Sequence, residues 1–352
     1  MPQEALHRFD FEIGMYRPPS EGGSYSLLLR VTRNCPWNRC EFCVMYKTEK
    51  FQIRPVDEVK NDIDNIAFVC GELKRISWEL GYGGAVTREC AMRMLDRYPE
   101  LSNHHGFFMV FNWLASGGKT AFLQDANSLI MKTVDLQEIL RHLRRTFPSI
   151  SRVTSYARSK TLAQRSGDEL SIIHRAGLDR LHVGLETGDD TLLKLIKKGA
   201  TSEDHIRGGR KAVEAGFQLS EYWMPGLGGK KMWQKHAVNT ARVLNEINPH
   251  YIRSRPFHLP PGTPMAEWHP AECIGLLSPK EQLTELKLMI ETLDVTSRVC
   301  FDHAGNYWRN RRGGLLFSQS YEGYRFPDRK KDVLRLIEEG LSVDQVSPMG
   351  LL

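Results

Sequence analysis

From residue 120 onward the hydrophobic pattern switches repeatedly between a short strand-like run and a helix-like one. Thr120–Leu123 precedes a helix at Asp135–Arg145 that buries Leu136, Ile139, Leu140 and Leu143. Arg152–Tyr156 precedes a helix around Gly167–Ala176, and Arg180–Leu185 precedes Asp189–Lys198 and a second helix at about 203–215. Phe217–Trp223 precedes a helix at 231–247, and Tyr251–Arg255 closes the series. A further strand at about 25–31 stands ahead of these. Its helix opens near Pro55, where Val56, Val59, Ile63, Ile66 and Val69 recur at three- and four-residue steps. Strands and helices alternating in this way form βαβ units on a parallel sheet, an α/β fold. Six strands are too few to close an eight-stranded barrel.

The rest of the chain is read around this core. Residues 1–24 form an irregular N-terminal arm broken by Pro18-Pro19 and Gly22-Gly23. The core runs from 25 to 256, with an insertion at 76–118. That insertion holds a helical stretch around Glu89–Arg97 and the aromatic run from Phe107 to Leu114, read either as helices packing on the core or as a wall over a pocket. From 257 the character changes: Pro260, Pro261, Pro264 and Pro270 make an irregular crossing, followed by a helix at about 279–293, a strand-like run near Arg298–Asp302 and a helix at Asp328–Gly340. We read 257–352 as a C-terminal α/β extension.

Composition narrows the function. With 41% hydrophobic and 26% charged residues, the 352-residue chain is ordinary for a globular protein. It has no run long enough to span a bilayer, and Met1–Arg8 lacks the apolar core of a signal peptide, so a cytoplasmic location without membrane attachment is expected. The net charge of +6 is spread along the chain; it suits an anionic substrate and lacks the clustered basic stripe of a nucleic-acid binder. Trp308 with Arg309–Arg312 is the one short exception.

Three of the seven cysteines fall within nine residues, Cys35-Pro36-Trp37-Asn38-Arg39-Cys40-Glu41-Phe42-Cys43, just after the first strand. Cys70, Cys90, Cys273 and Cys300 are scattered and make a poor disulfide framework. Thiols gathered on one loop suggest a metal. A closed structural zinc site takes four protein ligands, and an iron–sulfur cluster is usually held by four thiolates. Here there are three and no second C-x-x-C. Three ligands would leave one iron of a [4Fe–4S] cube open to a substrate or cofactor. Zinc and unligated thiols are the competing readings.

The loop resembles the signature of the radical SAM enzymes, C-x3-C-x2-C with an aromatic before the last cysteine. Phe42 is that aromatic, and the first gap is one residue longer, C-x4-C. The resemblance covers roughly residues 24–260, and its core resembles the branch with coproporphyrinogen-oxidase-like and tRNA-modifying members. It implies an open, partial (βα)6 TIM-like barrel with the insertion after its first helix. It also implies a [4Fe–4S] cluster on Cys35, Cys40 and Cys43, S-adenosylmethionine (SAM) as second cofactor, and an electron donor such as a flavodoxin or ferredoxin. Reductive cleavage of SAM to a 5′-deoxyadenosyl radical, which abstracts hydrogen from a small or medium organic substrate, is the activity implied.

Residue by residue, the resemblance places cofactor contacts at the carboxyl ends of the strands. Asp125 would accept from the SAM amino group in the turn Gln124-Asp125-Ala126-Asn127, where the family has G-G-E; Asn127 and Gln124 are second choices. Glu186, in Gly184-Leu185-Glu186-Thr187-Gly188, would take the ribose hydroxyls. Arg158 would meet the carboxylate, and Met224 with Gly226 would pack the adenine. On the substrate side, Arg253 and Arg255 alternate along the sixth strand and share a face. Arg255, His303 and Tyr307 are the candidate catalytic residues, with His258 and Asp302 nearby in sequence. Two other functions stay open: radical methyl transfer with a second SAM, and a non-catalytic iron–sulfur electron-transfer protein.

Overall fold

The computed structural model describes residues 9–14, 26–259, 261–268 and 275–345. Pro18-Pro19, Gly22-Gly23, Pro260, Pro270 and Cys273 therefore lie outside the described residues. The chain falls into two compact units. One comprises residues 1–34, 50–156 and 171–180; the other comprises 35–49, 157–170 and 181–352.

In the first unit, β1 (Ser26–Leu29) is followed by a short antiparallel pair, β2 (Thr32–Arg33) with β3 (Gln52–Ile53), which brackets the cysteine loop in sequence. β4 (Thr120–Leu123) pairs in parallel with β1, setting Ser26 against Thr120 and Leu29 against Leu123. It also pairs with β5 (Arg152–Ala157), setting Thr120 against Arg152. These strands are short and almost wholly buried, as a parallel sheet covered on both faces requires.

The first helix runs from Val56 to Glu79 and buries Val59, Ile63, Ile66 and Val69, the stripe expected from their spacing. The insertion forms helices Arg88–Arg97 and His105–Ala115. Phe107, Val110 and Trp113 are fully buried, and the sulfur of Met109 accepts the Leu28 backbone N–H at 3.4 Å. The aromatic run is thus core packing against the first helix and β1.

The second unit, which takes β6 (Arg180–Glu186) from Leu181 onward, orders its strands β6, β7 (Gln218–Trp223), β8 (Tyr251–Ser254), β9 (Arg298–Cys300) and β10 (Tyr324–Arg325). β7, β8 and β9 are parallel, with Tyr222 against Arg253 and Arg253 against Cys300; β10 is antiparallel to β9. The C-terminal segment therefore adds a strand directly to the parallel sheet. Helix starts follow capping chemistry. Thr201 and Asp204 reciprocally cap helix Ser202–Glu214, and Ser278 with Glu281 caps helix Pro279–Thr292, which has proline in its first turn. Helix Gly229–Ile247 stops at Asn248, which takes the left-handed conformation ahead of Pro249. The α/β class and all six expected parallel-type strands are present. Among the described residues, no helix is long and apolar enough to cross a membrane.

Candidate functional site

Residues 35–49 fold back on themselves. Asn38 sits at φ +47 and its backbone N–H points at the Cys35 sulfur, 3.3 Å away. Lys47 Nζ donates to the carbonyls of Asn38 (3.0 Å) and Cys40 (2.9 Å). The loop is anchored on the segment after helix Asp190–Leu195. Glu41 N–H donates to Ile196 O at 3.0 Å, Trp37 Nε1 donates to Lys197 O at 2.7 Å, and Glu41 ion-pairs with Lys197. On its other side, Met265 N–H donates to Glu41 O.

Cys35, Cys40 and Cys43 are free and half-buried. Among the described residues no three His, Cys, Asp or Glu side chains gather closely enough to hold one metal ion. A cluster makes a different demand, because each thiolate binds a different iron. The donor set fits that group: three accessible thiols on one anchored loop, with two cations beside them.

Those cations are Lys198 and Arg158. Arg158 follows β5 and donates through Nη2 to Lys198 O at 2.8 Å; its guanidinium lies 5.0 Å from the Trp37 ring, with Arg39 at 5.2 Å from the same ring. Gly199 takes φ +72 where the loop docks, and a Cβ there would stand 2.4 Å from the Trp37 indole. Gly199→Ala is expected to lower stability by about 1–3 kcal/mol through overpacking and backbone strain. Thermal unfolding checks this, and an unchanged midpoint would show that Trp37 yields freely.

Lys198 was not picked out from the sequence, where Lys197-Lys198 looks like a solvated helix end. It is largely buried, its Nζ 2.7 Å from Glu186 Oε1 and 5.9 Å from the Phe42 ring centre. Burial works to lower its pKa, but Glu186 and then Cys40 outweigh that and the pKa is raised, so Lys198 stays charged. The same neighbourhood bears on Cys40, whose thiol is pushed up by burial and by Glu186 while Lys198 and Arg158 pull it down.

Glu186 ends β6 at φ +63 with its carboxylate folded back over Gly184, where a Cβ would stand 2.1 Å from Glu186 Oε1. It is therefore already half of an ion pair. A second carboxyl escaped the sequence reading, Glu221 on β7. It is 1% exposed, and neither oxygen has a hydrogen-bond partner among the described residues. Burial raises its pKa well above the usual range; Lys198 offsets this slightly and Glu186 adds to it. An acidic residue between Leu219 and Trp223 in a buried strand was the available signal, since such a group is costly unless something binds it.

Met224 belongs to a buried apolar cluster with Leu192, Ile196, Leu227 and Phe257, and Phe42 packs against that cluster. Gly226 takes φ +89 in the turn after β7. In the first unit, Asp125 is buried at φ +66 and accepts from Arg30 Nε at 2.7 Å and from the Asn34 backbone N–H at 2.9 Å. Asn34 Nδ2 in turn donates to Lys50 O at 2.7 Å. Asp125 thus holds the neck of the segment that leads into Cys35. Gln124 exchanges two hydrogen bonds with the Gly14 backbone, and Asn127 is fully buried ahead of the turn Ser128–Ile130.

The substrate-side candidates divide. Arg253 is fully buried, paired with Asp302 at 2.8 Å, bonded to Ser220 Oγ at 3.0 Å and lying 4.2 Å from the Tyr321 ring centre. Arg255 lies one residue beyond β8 and is exposed, so the expected shared face of Arg253 and Arg255 does not give them a shared environment. His303, His258 and Tyr307 do come together. His303 Nδ1 accepts from Gly305 N–H at 2.9 Å, the His258 and Tyr307 rings are 6.0 Å apart, and a Cβ on Gly305 would stand 3.1–3.2 Å from both histidines. Burial, then Arg255 and His258, pushes His303 down to about 4, so it is neutral near pH 7. The basic run near the C-terminus offers no stacking platform, because Trp308 is buried and donates to Pro279 O. Arg311 and Arg312 instead share a surface cavity of about 660 Å³ with Arg335, Glu338 and Glu339.

Residues 114–240 match the Radical SAM superfamily; the cysteine loop precedes the matched stretch. The chain is 27% identical over 129 residues to the heme chaperone HemW of Bacillus subtilis (strain 168), which covers 36% of this chain and 34% of that protein. It thus spans about a third of the length of the curated relative it matches. Among solved structures it is similar to methylornithine synthase (PylB), with a TM-score of 0.48 and 14% identity over 95% of this chain and 88% of that one. It is also similar to coproporphyrinogen III oxidase (HemN) from Escherichia coli, with a TM-score of 0.46 and 14% identity over 82% and 60% of the two chains.

Proposed function

We propose that this chain, whose residues 114–240 match the Radical SAM superfamily, is an enzyme that cleaves SAM reductively at a [4Fe–4S] cluster and abstracts hydrogen from an organic substrate. The observation that carries the reading is the anchored three-cysteine loop with Lys198, Arg158 and Glu186 beside it. Cys35, Cys40 and Cys43 would hold the cluster. When bound, that cluster supplies the electron that splits the sulfonium of SAM, and the protein supplies position and electrostatics.

Each residue then has a physical task. Arg158 and Lys198 place positive charge beside Cys40, which suits the SAM carboxylate. Glu221, with no partner of its own, is the best-placed free acceptor for ribose hydroxyls; Glu186 shares that task while holding Lys198. Phe42, Met224 and the turn at Gly226 give adenine apolar cover and close backbone approach. Asp125 and Asn127 act through the first unit, with Asp125 fixing Asn34. Arg255, with neutral His303 and Tyr307, is the site we assign to a small or medium, anionic substrate. An electron donor such as a flavodoxin or ferredoxin is the partner this chemistry requires, and the reading places the protein in the cytoplasm.

Anaerobically reconstituted protein with dithionite is expected to release 5′-deoxyadenosine and methionine from SAM, slowly, without added substrate. Chromatography of the products checks this. S-adenosylhomocysteine as the main product would shift the reading to methyl transfer, and the absence of both products across several reductants would overturn enzymatic SAM cleavage.

A further inference from the structure

We propose that Glu285 and His236 are positioning residues for the cofactor, tying helices Pro279–Thr292 and Gly229–Ile247 to the two turns, at 186–188 and 224–229, that would receive the nucleoside of SAM. The inference rests on the reading above and extends the site into the C-terminal part of the chain, where the sequence offered no motif for it.

The frame can be followed bond by bond. His236 is fully buried. Its Nδ1 lies 2.7 Å from Thr187 Oγ1 and its Nε2 lies 3.0 Å from Met224 O. A carbonyl only accepts, so Nε2 carries the proton and Nδ1 accepts from the Thr187 hydroxyl. One neutral ring thus joins the residue after Glu186 to the residue after β7. Burial holds His236 down at about 4, which keeps this tautomer across the neutral range. One helical turn later, Thr240 Oγ1 accepts the Gly188 N–H at 3.0 Å. A Cβ on Gly188 would stand 2.2 Å from Asn239 O, so the turn lies flat on the helix.

The second turn is held from the other helix. Gly226, at φ +89, donates its N–H to Glu285 Oε2, and a Cβ there would stand 2.7 Å from Gln282 Nε2. Glu285 is fully buried; its Oε1 has no hydrogen-bond partner among the described residues and lies 4.0 Å from His236 Nε2. A carboxyl at such a place is costly, and an apolar residue would pack as well. What Glu285 alone provides is an acceptor for the Gly226 amide. Burial raises its pKa to about 8, so it is mostly protonated near neutral pH and glutamine is a close mimic.

The test compares Glu285→Leu with Glu285→Gln in the full chain. Amide hydrogen exchange across 224–229, before cluster reconstitution, reads the turn itself. Iron content reads the cluster, and equilibrium dialysis of SAM reads the site. Glu285→Leu is expected to keep wild-type iron, speed exchange at 224–229 about 10-fold and weaken SAM binding about 10-fold, because one buried amide loses its acceptor. Glu285→Gln is expected to stay within about 2-fold of wild type on both readouts. A purely structural role would lower thermal stability in both variants and leave SAM affinity of the folded protein unchanged, which overturns the proposal. So would a Gln variant as weak as the Leu variant. If Glu285→Leu fails to fold, Thr240→Val removes the Gly188 acceptor from the same frame and is expected to weaken SAM binding in the same sense; unchanged affinity there overturns the proposal as well. Wild-type protein that binds no SAM at all would instead count against the radical SAM reading, while the exchange measurement still decides the frame.

Discussion

Cys40→Ala protein, reconstituted anaerobically with iron and sulfide, is expected to retain almost none of the about four irons that wild type should bind as a cube. Cys35→Ala and Cys43→Ala should behave alike, and all three should lose SAM cleavage. The loop offers three thiolates, and the other cysteines among the described residues are buried. Cys70 and Cys300 are buried far from ionisation, each pushed up to about 12 by burial. Cys90 is buried in the insertion, where it caps helix Arg88–Arg97. Cys273→Ala is the control and should keep full iron. Metal analysis with electron paramagnetic resonance of the reduced protein measures all five proteins. Stoichiometric zinc without iron in wild type would restore the structural-zinc reading, and full iron in any one of the three variants would mean that the cluster lies elsewhere.

What the sequence made visible was periodicity and motif. Strand positions announced themselves because a doubly covered parallel strand must be apolar on both faces, as Leu181, Val183 and Leu185 are. Glu186 stood out because a carboxylate ending such a strand needs a reason. What stayed hidden was partnership across long separations. Lys198 sits twelve residues after Glu186 in a run that looks solvated, and helix Asp190–Leu195 and the left-handed Lys197 (φ +51) intervene before its ammonium meets that carboxylate. Glu221 was passed over because strand patterning treats one polar residue as an outward-facing position, whereas here both sides of the strand are covered. Asp125 illustrates the converse. It was expected as a cofactor acceptor, and its carboxylate takes Arg30 Nε and the Asn34 backbone N–H, a pairing that no local pattern encodes. Arg253 and Arg255 show the limit of alternation: shared parity along a strand says nothing about where the strand stops, and it stops between them.

Lys198→Met carries the second large expectation, a loss of about 3–5 kcal/mol of stability, typical of leaving half of a buried ion pair uncompensated. The pair is well enough shielded for that scale to apply, with the side chains of Lys198 and Glu186 only 13% and 11% exposed. Removing the ammonium takes away the ion-pair partner of Glu186, beside Glu221, a fully buried acid that Glu186 already pushes up. Glu186→Gln removes the anion instead but keeps a side-chain oxygen that can accept from Lys198 Nζ, which makes it the milder single change. The double variant, Lys198→Met with Glu186→Gln, removes both charges and is expected to recover most of the stability lost in Lys198→Met, because a neutral pair carries no unmatched desolvation. Urea unfolding of the four proteins before cluster loading gives the cycle directly, since the pair exists in the polypeptide alone. SAM affinity should not recover in the double variant, because the charge beside Cys40 is gone whether or not the fold is restored. If the double variant instead lost the sum of the two singles, the pair would be energetically uncoupled, and Lys198 would be reassigned from holding Glu186 to serving the cysteine loop alone.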